Sequence, residues 1–190
     1  MNKRINVKQY LEYELNSEIR HEYIDGYVYA RPGATKNHRR LSGNVGSAFL
    51  NHLQTGPCEA SIADARIKVG TNYFYPDVVV DCDDSDDNSM YANKPTIIVE
   101  VLSRSTRHTD KGVKLLSYIN MPHLQEYVLI EQEYASVEVL RKSDGWVPRH
   151  YSLGDEIHFE SIELTISVED IYHRVNNKDV VEYFENKVSD

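Results

Sequence analysis

Two stretches of the chain repeat apolar residues with the spacing of an amphipathic α-helix. The first covers residues 7–15 and ends before the polar pair Asn16-Ser17. The second runs from about 37 to 53, after Pro32-Gly33, and its apolar stripe begins at Leu41. We therefore predict a short helix near the N-terminus and a longer one in the second segment.

Other segments carry the runs of Tyr, Ile and Val that are typical of strands. The segment HEYIDGYVYAR places Asp25-Gly26, a favoured two-residue turn, between two such runs, which predicts a β-hairpin. Between Glu59 and Asp81 the runs ASIADARIKV and YFYPDVVVDC flank a turn at residues 70–72. The runs VVV and TIIVEVLS are continuously apolar, which is typical of strands buried on both faces.

The second half of the chain continues with a helix and more strands. A helix is predicted from about Thr106 to Asn120, before Met121-Pro122. The runs QEYVLI, ASVEVLRK, WVPRHYSL and ELTI predict strands, and a short helix begins at about Val168. This order of elements favours an α/β or α+β fold in which helices cover the faces of a sheet.

Length and composition indicate an ordinary globular protein. The chain has 190 residues and a mass of 22.0 kDa, and no linker-like segment divides it, so we expect a single domain over 1–190. No apolar run is long enough for a signal sequence or a membrane span, so we expect a cytoplasmic protein without membrane contact. Cys58 and Cys82 form no CxxC pair, and we interpret both as small buried hydrophobic residues rather than a disulfide or a zinc site.

The formal net charge of -9 limits how the chain could bind nucleic acid. Proteins that bind through phosphate groups usually present a basic face, so any such contact must be local. Basic residues group in two places, Arg39 with Arg40 and the segment 104–114. The candidate substrate-binding residues are Arg39, Arg40, Arg107 and Lys111.

Acidic residues are concentrated in a run after the VVV strand: Asp81, Asp83, Asp84, Asp86 and Asp87. An EF-hand loop that begins at Asp81 requires Gly at its sixth position and Glu at its twelfth, but Asp86 and Ala92 stand there. We therefore interpret the run as a solvated loop.

Three residue types that suit metal-assisted hydrolysis of a phosphodiester occur in order between 75 and 118. Asp77 follows a proline at the start of a strand, and Glu100 lies inside TIIVEVLS, where a carboxylate is costly without a partner or a metal. Lys114 follows on the predicted helix. Hard carboxylate oxygens suit Mg²⁺ or Mn²⁺, and a lysine can stabilise the developing negative charge.

Neighbouring residues could complete such a site. On the predicted helix Arg107, Lys111, Lys114 and Tyr118 share one stripe, and Asp110 lies one turn before Lys114. The carbonyl of Val101 could add an oxygen ligand. Each candidate also has an ordinary explanation: a turn for Asp77, an ion pair for Glu100, a solvated lysine for Lys114.

The chain resembles the Uma-two family of restriction-like endonucleases, within the PD-(D/E)XK nuclease superfamily. The residues that carry the resemblance are EYIDGYVY, His38 at the start of a helix, YPDVVVD, LQEYVLI and the long segment PTIIVEVLSRSTRHTDKGVKLLSYI. The resemblance implies a restriction-endonuclease-like core, a mixed sheet flanked by helices.

The resemblance also implies roles for individual residues. Asp77 and Glu100 match the metal-binding acids, Glu22 matches an additional N-terminal acid, and His38 is a peripheral candidate. The superfamily's usual third residue would fall at Leu102; Lys114, in the pattern formed with Asp110 and Tyr118, matches a lysine moved to the next helix.

We therefore predict a Mg²⁺- or Mn²⁺-dependent DNA endonuclease, and by resemblance a homodimer. Two alternatives stay open. One is an inactive member of the fold that binds nucleic acid or protein. The other is a structural or interaction domain in which the carboxylates are ion-paired.

Overall fold

The computed structural model describes residues 4–31, 33–82 and 89–189. The helices are α1 (Val7–Leu15), α2 (Lys36–His52), α3 (Arg107–Thr109), α4 (Leu115–Tyr118), α5 (Val168–Ile171) and α6 (Lys178–Ser189), and a π-helical turn, Asp110–Lys114, joins α3 to α4. The strands are β1 (His21–Ile24), β2 (Tyr27–Ala30), β3 (Glu59–Ile62), β4 (Ile67–Val69), β5 (Asn72–Phe74), β6 (Val78–Asp81), β7 (Pro95–Leu102), β8 (Glu126–Glu131), β9 (Val137–Arg141), β10 (Pro148–Tyr151), β11 (Glu156–Phe159) and β12 (Leu164–Ser167). In the described ranges, no helix has the length and apolar character needed to cross a membrane.

A six-stranded mixed sheet, ordered β10-β9-β8-β7-β6-β3, forms the centre of the fold. Strands β7 and β8 are parallel because the helical segment 107–118 crosses over between them, and the other neighbours are antiparallel. Every residue of β6 and every residue of β7 except Thr96 is buried, as their continuous apolar runs predicted. The predicted sheet flanked by helices is confirmed.

Different elements cover the two faces of this sheet. Helix α2 packs on one face through Leu41, Val45 and Phe49, together with the small β11-β12 sheet and α5. Segment 107–118 and a second sheet, ordered β2-β1-β5-β4, cover the other face. The apolar contacts of this second face include Tyr118 and Phe74. The candidate site lies between these layers.

The hairpin of β1 and β2 forms as its turn sequence predicted. Asp25 and Gly26 both have positive φ, 51° and 92°. Asp and Gly adopt this backbone conformation, which a two-residue hairpin turn requires, with little steric strain. The register pairs Glu22 with Tyr29 and His21 with Ala30. Arg31 continues this pairing, because its N–H donates to the carbonyl of Arg20.

The two long runs predicted between 59 and 81 are each divided between the two sheets. Ala63 and Asp64, with φ of 56° and 59°, turn the chain out of the central sheet after β3, and Pro76 separates β5 from β6. Proline cannot donate a ladder hydrogen bond, so the chain changes sheets there. As a result Asp77 lies where the chain re-enters the central sheet.

The helix predicted from 106 to 120 contains a π turn. The N–H of Leu115 donates to the carbonyl of Asp110, five residues earlier, so the spacing around this turn is wider than in an α-helix. The expected single stripe of Arg107, Lys111, Lys114 and Tyr118 is therefore wrong. Strand β11 and helix α6 were not predicted either.

The expectation for the cysteines is also wrong. Cys58 and Cys82 form a disulfide and are only partly buried. They come together because Glu59 pairs with Asp81 at the ends of β3 and β6. The acidic run at Asp83, Asp84, Asp86 and Asp87 lies outside the described residues. Asp81 is the buried end of β6 and accepts the N–H groups of Asn93 and Lys94.

Candidate active site

Asp77 and Glu100 lie on neighbouring antiparallel strands and on the same face of the central sheet. Val78 pairs with Val99, so Asp77 stands opposite Glu100, one position further along the ladder. The N–H of Val101 donates to Asp77 Oδ2 at 2.8 Å, and the N–H of Asp77 donates to the carbonyl of Val99 at 3.2 Å. The backbone therefore fixes the Asp77 carboxylate beside Glu100.

The other oxygen of Asp77 is held by two nitrogen donors. Oδ1 lies 2.8 Å from Arg31 Nη2 and 3.0 Å from His38 Nε2. Arg31 follows the hairpin, and His38 lies in the first turn of α2, where Thr35 caps the helix by accepting the N–H of His38. Both side chains reach solvent, Arg31 with 25% and His38 with 16% of its side chain exposed, whereas Asp77 has 7%.

Glu100 is more deeply buried and faces segment 107–118. Its Oε1 accepts hydrogen bonds from Lys114 Nζ at 3.0 Å and from the hydroxyl of Tyr118 at 3.1 Å. Only 2% of Glu100 is exposed. A carboxylate in this position is stable only because these two donors replace its hydration.

Lys114 contacts carboxylates from three different parts of the chain. Its Nζ lies 2.8 Å from Glu22 Oε1, 3.0 Å from Glu100 Oε1 and 3.1 Å from Asp110 Oδ1. The π turn places Asp110, Lys114 and Tyr118 on the side of the helix that faces this cluster. Arg107 and Lys111 lie on another side, where they pair with Glu131 and Glu138.

Glu22 enters the cluster from β1 of the second sheet. Its Oε1 also accepts the N–H of Tyr75 at 3.2 Å. The Tyr75 hydroxyl donates to Glu14 of α1, and Glu14 in turn binds His21. The N-terminal helix and hairpin therefore hold Glu22 in place through buried hydrogen bonds.

The environment raises the pKa values of Glu100 and Lys114, for different physical reasons. Burial raises the pKa of Glu100 well above its ordinary value, and the charges of Asp110, Asp77 and Glu22 add to this shift against the opposing charge of Lys114. Burial acts the other way on Lys114, but the carboxylates of Glu100, Glu22 and Asp110 keep its pKa well above the ordinary value. Lys114 is therefore a permanent cation in this cluster.

Asp77 differs from Glu100. Burial alone would raise the pKa of Asp77, but the hydrogen bond and charge of His38, the charge of Arg31 and the N–H of Val101 lower it below its ordinary value. Asp77 is therefore the fixed anion at the solvent side of the cluster, and the negative charge of Glu100 is less compensated than that of Asp77.

The cluster suits a divalent cation in ligand type and in charge. Within the described residues, four carboxylates (Glu22, Asp77, Glu100, Asp110) contact two permanent cations, Arg31 and Lys114. Asp110 Oδ1 is buried and accepts no hydrogen bond from the residues that the structure describes, although Lys114 Nζ lies 3.1 Å away as an ion-pair partner. Oxygen ligands with excess negative charge are those that Mg²⁺ and Mn²⁺ prefer.

In this conformation, however, the described side chains of the cluster do not form a metal-binding geometry. Over residues 4–31, 33–82 and 89–189, no three Asp, Glu, His or Cys side chains converge in a geometry that could hold a metal. In this conformation Arg31 and His38 both contact Asp77 Oδ1, and the N–H of Val101 donates to Oδ2. Asp77 would have to exchange one of those donors before it could hold a metal.

The remaining candidates lie around the cluster. Val101 donates its N–H to Asp77 Oδ2, and the use of its carbonyl as an oxygen ligand stays a prediction. Arg39 is exposed and Arg40 partly exposed on α2, next to His38, while Arg39 Nη1 donates to the carbonyl of Ala34. Leu102, at the superfamily's usual third position, is fully buried among apolar residues.

Arg31 is the contact of Asp77 that the sequence reading missed. Side chains alternate along β2, so Tyr29 and Arg31 share a face, and Tyr29 is paired with Glu22. The hairpin register alone could therefore have placed Arg31 beside the N-terminal acid. The hydroxyl of Tyr127, which donates to the carbonyl of Asp110, was also missed and carried no local signal.

A family model described as "Putative restriction endonuclease" matches residues 7–169. The chain belongs to this family, Uma2. The match covers every residue of the cluster and supports a nuclease. The Uma2 family places the chain among restriction-endonuclease-like proteins, which generally use divalent metals.

Relatives of this Uma2 chain are similar over most of their length. Two proteins of Synechocystis sp. (strain ATCC 27184 / PCC 6803 / Kazusa), slr1290 and sll1609, are each described as uncharacterized. The first is 36% identical over 174 residues, which is 89% of this chain and 92% of the relative. The second is 33% identical over 145 residues, which is 74% of this chain and 82% of the relative.

A crystal structure from Anabaena variabilis ATCC 29413 has the same fold. It is described as "a putative nuclease belonging to DUF820", has 20% sequence identity and superposes with a TM-score of 0.75. The match covers 88% of this chain and 97% of the other. At this identity the likeness establishes the fold of this Uma2 chain, and the chemistry must be argued from its own residues.

Proposed function

We propose that the protein is a divalent-metal-dependent endonuclease that hydrolyses phosphodiester bonds of DNA. The observation that carries the proposal is the meeting of Glu22, Glu100 and Lys114, from the hairpin, the central sheet and the crossover helix, next to Asp77. Burying such a cluster of charges costs stability unless the charges are fully paired. Proteins retain clusters of this kind most often at functional sites.

In this proposal Asp77 and Glu100 hold Mg²⁺ or Mn²⁺. The ion would supply Lewis acidity toward a phosphate oxygen and neutralise negative charge on the reacting phosphate. Lys114 adds a second fixed positive charge, and Glu22 and Asp110 hold its ammonium at the Glu100 side of the site. Tyr118 orients Glu100 by hydrogen bonding.

DNA would approach the side of the cluster at which Arg31 and His38 reach solvent. Arg39 and Arg40 lie close by, on the first turns of α2, where the helix N-terminus also favours a phosphate group. Arg107 and Lys111 would have to exchange Glu131 and Glu138 for phosphate. Because the net charge is -9, we expect weak and salt-sensitive binding unless a homodimer completes a groove.

A specific observation favours one rival, a structural or interaction domain in which the carboxylates are ion-paired. Lys114 is in contact with three carboxylates, and Asp77 already has three nitrogen donors. Residues paired in this way could act purely as structural ion pairs. The two proposals differ in one respect, because only the endonuclease should require metal.

Nicking of a supercoiled plasmid with Mn²⁺ distinguishes the two. We expect Asp77→Asn and Glu100→Gln each to lower the nicking rate on the order of 100-fold or more, and EDTA to abolish it. The matched control is Glu126→Gln, which changes another buried strand carboxylate, paired with Arg141 outside the cluster. Wild-type protein that nicks nothing, or variants as active as wild type, would exclude the endonuclease.

A further inference from the structure

Arg31 and Asp77 form an ion pair at the solvent side of the cluster. Arg31 Nη2 lies 2.8 Å from Asp77 Oδ1, and the guanidinium is partly exposed while the carboxylate is nearly buried. The charges of Asp77, Glu100 and Glu22 all act on Arg31. The guanidinium therefore stands between solvent and the carboxylates to which the proposed function assigns the metal.

An arginine in this position is a counterion for the cluster when no metal is bound. A divalent cation at Asp77 would carry twice its charge and repel it over the same few ångströms. Arg31 would then be displaced from Asp77, and its planar group of five N–H donors would be free to pair with another anion. Phosphate oxygens match that geometry in a bidentate manner.

The backbone around Arg31 permits such an exchange without unfolding. Arg31 lies just beyond the end of β2, and its N–H donates to the carbonyl of Arg20, so the backbone at the base of the side chain is anchored, while 25% of the side chain is exposed. The second donor to Asp77, His38, comes from α2, so loss of Arg31 leaves one donor on the same oxygen.

We infer that Arg31 exchanges partners: it neutralises Asp77 when metal is absent and binds a DNA phosphate when metal is present. This inference rests on the proposed function, in particular on Asp77 as a metal ligand. It assigns Arg31 two opposing effects, because the same side chain competes with the metal and supports the substrate.

Two binding measurements test the inference without turnover. The first is titration with Mn²⁺, with the free ion followed by its paramagnetic resonance signal. We expect Arg31→Ala to bind Mn²⁺ about tenfold more tightly than wild type, because the competing charge is gone. Arg31→Lys keeps the charge and should stay close to wild type.

The matched control for this titration is Arg20→Ala. Arg20 is the neighbour of Arg31 in the hairpin and pairs with Asp64 rather than with the cluster. Its removal changes the net charge equally, so a general electrostatic effect would appear in both variants. We expect Arg20→Ala to leave the Mn²⁺ affinity unchanged.

The second measurement is fluorescence anisotropy of a labelled DNA duplex in Ca²⁺. Arg31→Ala should weaken binding about tenfold and reduce the slope of log affinity against log salt by about one, as for the loss of one phosphate contact. Arg31→Lys should retain the slope and lose part of the affinity, because it lacks the bidentate geometry.

The outcomes separate this inference from the proposed function. Tighter Mn²⁺ binding together with weaker DNA binding in Arg31→Ala supports the exchange, even if wild-type protein nicks no plasmid and the endonuclease proposal fails. Unchanged or weaker Mn²⁺ binding in Arg31→Ala, including no binding by either protein, overturns the inference. Unchanged DNA affinity overturns it as well, whatever the plasmid assay gives.

Discussion

Glu22 and Lys114 form an ion pair with 2.8 Å between Oε1 and Nζ, and each is supplied by a different layer of the fold. Glu22 lies on β1 of the second sheet, and Lys114 lies on the crossover helix that packs on the central sheet. The pair is almost completely buried, since 5% of the Lys114 side chain and 10% of the Glu22 side chain are exposed. The charge cluster therefore joins the hairpin to the rest of the molecule.

Removal of Lys114 should destabilise the protein strongly. In Lys114→Met, Glu22, Glu100 and Asp110 lose their shared cation inside the protein, and we expect a loss of about 3–5 kcal/mol in the free energy of unfolding. Urea unfolding at pH 7 measures it. Neutralising one carboxylate as well, in Lys114→Met with Glu100→Gln, should restore part of the loss.

The control for this variant is Lys8→Met. Lys8 is highly exposed and pairs with Glu12 on α1, so its removal should change the unfolding free energy by less than about 0.5 kcal/mol. If Lys114→Met were equally harmless, the buried ion pairs would contribute nothing, and Lys114 would have to be neutral or solvated in the native state.

Tyr118 should contribute to stability through the charge of Glu100. Its hydroxyl donates to Glu100 Oε1 at 3.1 Å, and both residues are buried. Hydrogen bonds to charged groups contribute about 1.5–3 kcal/mol, against about 1 kcal/mol for neutral ones. Tyr118→Phe should therefore cost more, in urea unfolding, than Tyr127→Phe, whose hydroxyl donates to the backbone carbonyl of Asp110.

The same comparison of Tyr118→Phe with Tyr127→Phe in Glu100→Gln protein tests whether the charge of Glu100 is the cause. In Glu100→Gln protein the acceptor is neutral, so the extra cost of Tyr118→Phe over Tyr127→Phe should disappear. A difference that persists unchanged in Glu100→Gln would mean that Tyr118 acts through packing against Phe74 and Tyr127 instead.

The sequence was most informative where a local rule determines the structure. The Asp25-Gly26 turn and the continuous apolar runs of β6 and β7 identify the hairpin and the central strands, because turn chemistry and burial act over a few residues. The sequence identifies Asp77 and Glu100 as candidates for the same reason, since a carboxylate at the start of or inside such a run is unusual.

Features that depend on distant contacts could not be predicted. The hairpin register places Arg31 on the face of Glu22, but its contact with Asp77, which comes from another sheet, has no local signature. The π turn at 110–114 brings Asp110 and Lys114 to the cluster. No proline and no interruption of the apolar pattern in the sequence marks this turn. Ala63 and Asp64 adopt positive φ although neither is a glycine. The sequence therefore carried no turn signal for the change of sheets after β3.

The disulfide leads to a third prediction. Cys58 and Cys82 are 24 residues apart, and a cross-link of that length stabilises a protein by about 3 kcal/mol in the chain-entropy description. Dithiothreitol should lower the free energy of unfolding of the wild type by about that amount. The double variant Cys58→Ser with Cys82→Ser should have the stability of the reduced protein and should not respond to dithiothreitol.

Thiol titration of the protein, purified under air, shows whether the disulfide forms at all. The wild type should show no reactive thiol before reduction and two after it, since Cys58 and Cys82 are its cysteines. Two thiols before reduction would show that the bond does not form under these conditions, and the expected response to dithiothreitol would then be absent.

The stability of the protein should fall at alkaline pH because Tyr172 must stay neutral. Its fully buried hydroxyl lies 2.6 Å from the carbonyl of Glu131, and burial raises its pKa above the ordinary value of 10.0. A raised pKa gives a stabilisation that is complete below pH 10 and is lost as the pH rises above it. Between pH 10 and 11, wild type should therefore lose about 1 kcal/mol more than Tyr172→Phe in urea unfolding. Parallel curves for the two proteins would show that Tyr172 ionises equally in the native and unfolded states.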